Sequence, residues 1–143
     1  MIKVYTCGGM KNKTTEEAME WRNELAKYLE MLSDDISVFK PPEFYNYDDL
    51  KHQSEAEIKE FELAKLRESD VLVVELNDVE SSVGSCMELG YANAMNDFGD
   101  KHIFIIAYNN TGKNVHPWVM DSCIRVEDSL EDIAYYIANY IEA

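Results

Sequence analysis

The 143-residue chain carries 28 acidic against 13 basic residues, a formal net charge of -15, with 46% of its residues hydrophobic. That balance suits one domain over residues 1–143 with a core that needs no metal or disulfide staple. It argues against a nucleic-acid backbone or an anionic membrane surface as partner, because both require a positive footprint. Cys7, Cys86 and Cys123 are odd in number and dispersed, and the opening MIKVYTCGGMKNK has no signal-peptide pattern, so a reducing cytoplasm is the expected location.

Ile2 to Cys7 reads as a first strand, stopped by Gly8-Gly9 where backbone can approach a ligand closely. Thr14-x-x-Glu17 has capping-box form, and Ala18, Trp21, Leu25, Tyr28, Leu29 and Leu32 follow at helical spacing. Ile36 to Phe39 is a short strand ended by Pro41-Pro42, and the aromatic, acidic stretch from Glu43 to Gln53 fits neither period and reads as a loop. Ser54-x-x-Glu57 opens a second helix, through about Arg67. The unbroken apolar run from Val71, ending at Leu76, reads as a central parallel strand covered on both faces.

After a polar loop from Asn77 to Ser82, a third helix spans about Gly84 to Asn96. Ile103 to Ala107 is the next buried strand, a loop runs from Tyr108 to Trp118, and a short strand lies near Cys123 to Val126. The last helix, from about Ser129, buries Leu130, Ile133, Ala134, Ile137 and Ile141. The alternation implies an α/β fold, a doubly wound, flavodoxin-like or Rossmann-like five-stranded parallel sheet in order 2-1-3-4-5 with helices on both faces. A ligand then lies outside the carboxyl ends of the strands, where Cys7 to Lys13, Asn77 to Glu88 and Tyr108 to Trp118 converge.

The first turn lacks the G-x-G-x-x-G fingerprint, and no phosphate-binding P-loop occurs. His52, His102 and His116 lack metal-ligand spacing, so neither metal nor cofactor is expected. Cys86 has no histidine placed by sequence to activate it, and reads as a small buried hydrophobe. Glu88 completes Ser85-x-x-Glu88, a third capping-box form, and by spacing alone is a helix cap. Its position after a central strand and a Gly-containing turn instead aims it at the switch-point crevice.

Ser69-Asp70, the strand up to Leu76, Asn77-Asp78 and then Ser82-x-Gly84-x-x-x-Glu88-Leu-Gly-Tyr-Ala92 together resemble the signature of the nucleoside 2-deoxyribosyltransferase family, which includes nucleoside 5'-monophosphate N-glycosidases. Tyr5, Gly8-Gly9-Met10, Trp21-Arg22 and Pro41-Pro42 extend the resemblance over most of the chain. It implies that Glu88 is the nucleophile that forms a glycosyl-enzyme ester, with Tyr5 beside it. Glu62 stands where the family commonly has an aspartate, and Asn114 resembles an asparagine that enters a neighbouring subunit's site. It further implies a small nucleoside or nucleotide substrate, bound along Gly8, Gly9, Met10, Ser82 and Gly84, and a homo-oligomer. Trp21, Trp118 and the Phe44-Tyr45-Tyr47 segment supply apolar surface for that association.

Ser82 resembles the monophosphate N-glycosidases, where free-nucleoside transferases tend to carry aspartate; as a bland alternative Ser81-Ser82 is a turn pair. Lys11 and Lys13 are the available substitutes for the arginine-rich phosphate grip of some relatives. The expected activity is cleavage of the N-glycosidic bond of a 2'-deoxynucleoside or its 5'-monophosphate, by transfer to a second base or to water. The competing readings are an inactive nucleotide-binding module on the same fold and, more remotely, a receiver-like domain, which would need an acidic pair where Thr6-Cys7-Gly8 stands.

Overall fold

The computed structural model describes residues 1–45 and 52–143. Tyr47 and the central part of the aromatic, acidic segment fall outside the described residues. Five parallel strands form one sheet in the order β2-β1-β3-β4-β5: β1 (Ile2–Cys7), β2 (Ile36–Phe39), β3 (Val71–Glu75), β4 (Phe104–Tyr108) and β5 (Arg125–Glu127). The expected order is therefore the observed one, with the switch point between β1 and β3. The connecting helices are α1 (Thr15–Leu32), α2 (Glu55–Arg67), α3 (Val83–Phe98), α4 (Pro117–Asp121) and α5 (Leu130–Tyr136).

The central strand shows why an unbroken apolar run was needed. Val71 and Val73 face a cluster with Leu25, Leu29 and Ile133 from α1 and α5, whereas Leu72 and Val74 face one containing Leu66, Leu89 and Ala92 from α2 and α3. Successive side chains of a strand point to opposite faces, so burial on both sides removes the polar alternation. Each fully buried leucine or valine adds roughly 1.5–3 kcal/mol over an exposed one, which makes these two layers the main source of cohesion.

Several local expectations change. The stretch after β2 begins with a 3-10 turn, Pro41–Phe44, because two prolines preset the backbone; another 3-10 turn, Val79–Ser81, precedes α3. The loop before β5 contains α4, capped by His116 Nδ1 accepting from Trp118 N at 3.2 Å. At the edge of the sheet, β5 begins later than expected, and α5 continues as a π-helical turn over Ile137–Ile141 with Ile141 only half-buried. Trp21 is not surface for association: it is buried in the α1 layer. Cys86 is exposed, with its thiol directed at the Val79 carbonyl at 3.1 Å.

The capping of α3 also differs from the sequence reading. Ser82, not Ser85, is the N-cap, and Ser85 is buried within the first turn. Glu88 therefore lies beyond the capping position. Thr14 and Glu17 do form the reciprocal capping box expected of α1, while Ser54 caps α2 and Glu57 turns instead to Gln53 N and His52.

Candidate active site

Glu88 projects from the second turn of α3 into a cleft of about 260 Å3 walled by Met10, Tyr45, Ile58, Glu62, Leu63, Gly84, Met87 and Tyr91. Most of that wall is apolar, with Glu55 and Lys59 the other charged residues lining it, and burial desolvates the two carboxyls. Glu88 Oε2 and the Tyr5 hydroxyl are both buried without a well-formed hydrogen bond. Tyr5, fixed by β1 and stacked on Phe39 at 5.2 Å, interacts closely enough for its hydroxyl to favour the ionised form of Glu88.

Burial pushes the Glu88 carboxyl up to about 8; the Tyr5 hydroxyl pulls it down, Glu62 raises it further and Arg22 lowers it. Burial likewise raises Glu62, on α2, to about 7, opposed mainly by Arg22. Tyr5 lies well above the usual phenol range, first through burial and then through Glu88 and Glu62, so it stays a protonated donor. Two desolvated carboxyls beside one another titrate as a pair that resists carrying two negative charges. The Tyr5 hydroxyl works against that penalty at Glu88 without overcoming it, since Glu88 stays raised above Glu62.

The sequence-derived candidates are only partly gathered in this cleft. Glu88, Glu62, Met10 and Gly84 line it, and Tyr5 lies against Glu88. Gly9 and Ser82 line a neighbouring depression of about 380 Å3 with Lys11, Asn12, Lys13, Glu17, Asp78 and Ser81. A third hollow shares Met10 and Tyr45 with the cleft and Lys11 and Lys13 with that depression. Lys13 already pairs with Asp78, and with the buried Glu75 at 3.6 Å. Gly9 permits the close approach of the two loops, since a Cβ there would meet Asp78 Cβ at 3.2 Å. Asn114 does not line the cleft of Glu88 but a separate hollow with Asn77, Asp78, Glu80 and Lys113.

Three participants escaped the sequence reading. Glu75 ends β3 as a buried acid, and its signal was a carboxylate closing an apolar run. Tyr45 donates to Glu55 across the cleft mouth, a pairing between loop and helix that no periodicity encodes. Arg22 occupies the apolar stripe of α1 between Ala18 and Leu25, and its signal was a cation at a core position.

A doubly wound sheet with two desolvated carboxyls and a phenol at its switch point defines an α/β protein with a candidate site at the carboxyl ends of its strands. Residues 1–106 match the family described as nucleoside 2-deoxyribosyltransferase like, and the chain belongs to that family. The fold is shared with a conserved protein from Enterococcus faecalis V583, 18% identical with a TM-score of 0.75 over 96% of this chain and 97% of the other. It is shared also with a 2-deoxyribosyltransferase from the psychrotolerant bacterium Bacillus psychrosaccharolyticus, 18% identical with a TM-score of 0.71 over 98% and 94%. No curated protein matches the sequence. No helix among the described residues is long and apolar enough to cross a membrane.

Proposed function

We propose that the protein cleaves the N-glycosidic bond of a 2'-deoxynucleoside or its 5'-monophosphate through a glycosyl-enzyme intermediate on Glu88. The observation that carries this reading is the buried, unpartnered Glu88 Oε2 beside the Tyr5 hydroxyl in a cleft shared with Glu62. Glu88 attacks C1' as the C1'–N bond breaks, and its carboxylate offsets the positive charge that develops on the sugar. Glu62, whose raised carboxyl retains a proton near neutrality, supplies that proton to the departing base. The ester is then opened by water, which delivers its proton to Glu62, or by a second base.

The mechanism requires the pair to carry one negative charge and one proton. In the free protein the proton favours Glu88, raised to about 8 against about 7 for Glu62, so the mechanism has it pass to Glu62 as substrate enters; the Tyr5 hydroxyl, which favours charge on Glu88, supports that transfer. A 5'-phosphate would lie toward the neighbouring depression of Lys11, Lys13 and Ser82, where the N-terminal end of α3 adds a favourable dipole. Asn114, which lines a different hollow from Glu88, is then a candidate to complete a neighbouring copy's site.

Chromatography of incubations with each deoxynucleoside and each monophosphate, with and without an added base, tests the reading. Free base without an acceptor indicates hydrolysis, and exchange only with an acceptor indicates transfer. Binding without turnover of any substrate would reduce the fold to a nucleotide-binding module.

A further inference from the structure

A deoxynucleoside carries its base on C1' and its 5' group on C4', at opposite sides of the sugar ring. With Glu88 at C1' and the 5' group toward Gly9 and Ser82, the base falls against the opposite wall of the cleft, which is α2. That wall presents Glu55, Ile58, Lys59, Glu62 and Leu63, whose spacing puts them on one face of the helix.

Glu55, at the mouth, is held in place. Phe44 stacks on Phe39 of β2 at 5.1 Å and packs against Phe61 of α2 at 5.2 Å, which fixes the chain just before Tyr45. From there the Tyr45 hydroxyl donates to Glu55 Oε1. Among the described residues, Glu55 Oε2 accepts no hydrogen bond and no cation pairs with the group.

The side-chain donors of the cleft are engaged elsewhere. Lys59 is solvent-exposed and pairs with Glu60 at 3.6 Å. Tyr91, across the cleft on α3, takes Arg67 Nη1 on its hydroxyl at 2.8 Å, and Arg67 ends α2, about 18 Å of helix from Glu55. A base edge at the mouth therefore meets a fixed carboxylate oxygen. A carboxylate only accepts, so an exocyclic amine can donate to it, whereas a carbonyl in the same place sets its lone pairs against a negative charge.

We propose that Glu55, oriented by Tyr45, is a specificity-determining residue that reads the outer edge of the base and selects adenine and cytosine, which carry an exocyclic amine, over hypoxanthine and uracil, which carry oxygen at that position. The inference deepens the glycosidase reading and rests on it for the direction of the base. Glu55 takes no part in bond breaking: it stands two turns of α2 from Glu62, about 10 Å along the axis, and acts on the choice of base alone.

The test compares deoxyadenosine with deoxyinosine and deoxycytidine with deoxyuridine, each also as its 5'-monophosphate. Wild type should favour the amino member of each pair by about tenfold or more in kcat/KM, and Glu55→Gln, whose amide can donate or accept, should bring each pair within about twofold. Glu55 is exposed in the first turn of α2, and a melting curve checks that the variant folds. Equal or reversed preference in wild type overturns the proposal, as does a preference unchanged in folded Glu55→Gln. Calorimetry with free adenine, hypoxanthine, cytosine and uracil repeats the comparison without turnover. A wild type that cleaves no nucleoside but binds the amino bases more tightly, through Glu55, sinks the glycosidase reading and leaves the selectivity standing. Turnover without amine preference sinks the selectivity alone, and neither turnover nor preference sinks both.

Discussion

Ser82 and Ser85 are joined twice at the start of α3: the Ser82 hydroxyl accepts from Ser85 N at 3.4 Å and meets the Ser85 hydroxyl at 2.8 Å. Capping by Ser82 leaves Glu88 free of any role in starting the helix. Glu88→Gln should therefore fold like wild type, with a thermal midpoint no lower, while base release falls by about a thousandfold or more. Chromatographic rates beside a melting curve check both halves, and wild-type turnover in the folded variant would remove Glu88 from the mechanism.

Replacing the cap separates structure from specificity. Ser82→Ala should cost about 0.5–2 kcal/mol of stability, because an N-cap oxygen is lost. Ser82→Asp keeps a capping oxygen but places a negative charge in the depression it shares with Lys11 and Lys13, so it should weaken turnover of a monophosphate and leave the free nucleoside nearly unchanged. Comparing kcat/KM for the two substrates reads this directly. Equal effects on both would make Ser82 a turn residue only.

The raised carboxyls give stability a definite pH slope. Between the ordinary carboxyl range and about 8, folded Glu88 holds a proton that the unfolded chain has released. The native state binds more protons there, so this group's contribution is fully present at low pH and is lost as pH rises through about 8. Urea unfolding at about pH 5, 7 and 9 should show a smaller decline for Glu88→Gln than for wild type. Parallel declines would mean that Glu88 titrates normally in the folded chain.

Self-association has a surface available to it. Phe98 is 89% exposed, Trp118 81% and Val83 74%, on α3 and on the neighbouring α4, and Asn93 of α3 bonds to Ser122, just after α4, at 2.6 Å. Sedimentation equilibrium should show an oligomer that Val83→Lys with Phe98→Asp dissociates, with activity falling as Asn114 loses its neighbour. A fully active monomer would contradict the proposal that sites are completed between copies.

Gly8→Ala tests the tight turn. Its new methyl must displace either the Trp21 ring or the Arg22 guanidinium, so the variant should lose roughly 1–3 kcal/mol of stability, as overpacked interiors do. Chemical denaturation measures it, and a neutral result would mean that the turn has room to move.

What the sequence disclosed follows from which forces leave a local trace. Val71 to Glu75 is legible because burial on both faces demands consecutive apolar residues, while the sheet order and the switch point follow from the alternation of strands and helices along the chain. The start of β5 was misjudged because edge pairing at Arg125 and Val126 depends on β4 and leaves both side chains exposed. Ser82 and Ser85 each satisfy the local rules for a cap, and only the path of the chain out of the Val79–Ser81 turn decides between them. Glu88 and Tyr5 were reached through family resemblance. Arg22 is placed by a turn fourteen residues upstream, a relationship no periodicity contains.

The tie between Lys13, Asp78 and Glu75 changes what entry of a phosphate would mean. A lysine in open water trades mobile counterions for its ligand, whereas here the resident anions are tethered side chains that cannot diffuse away. An arriving dianion would compete with them and would have to share or displace Asp78, making the event an ion exchange within the wall of the depression. Few small ions would be released, so affinity would fall more gently with added salt than for a site of unpaired lysines. The same tether would let a neutral 5'-hydroxyl enter without breaking the pair, so at Lys13 phosphate binding becomes a contest with Asp78.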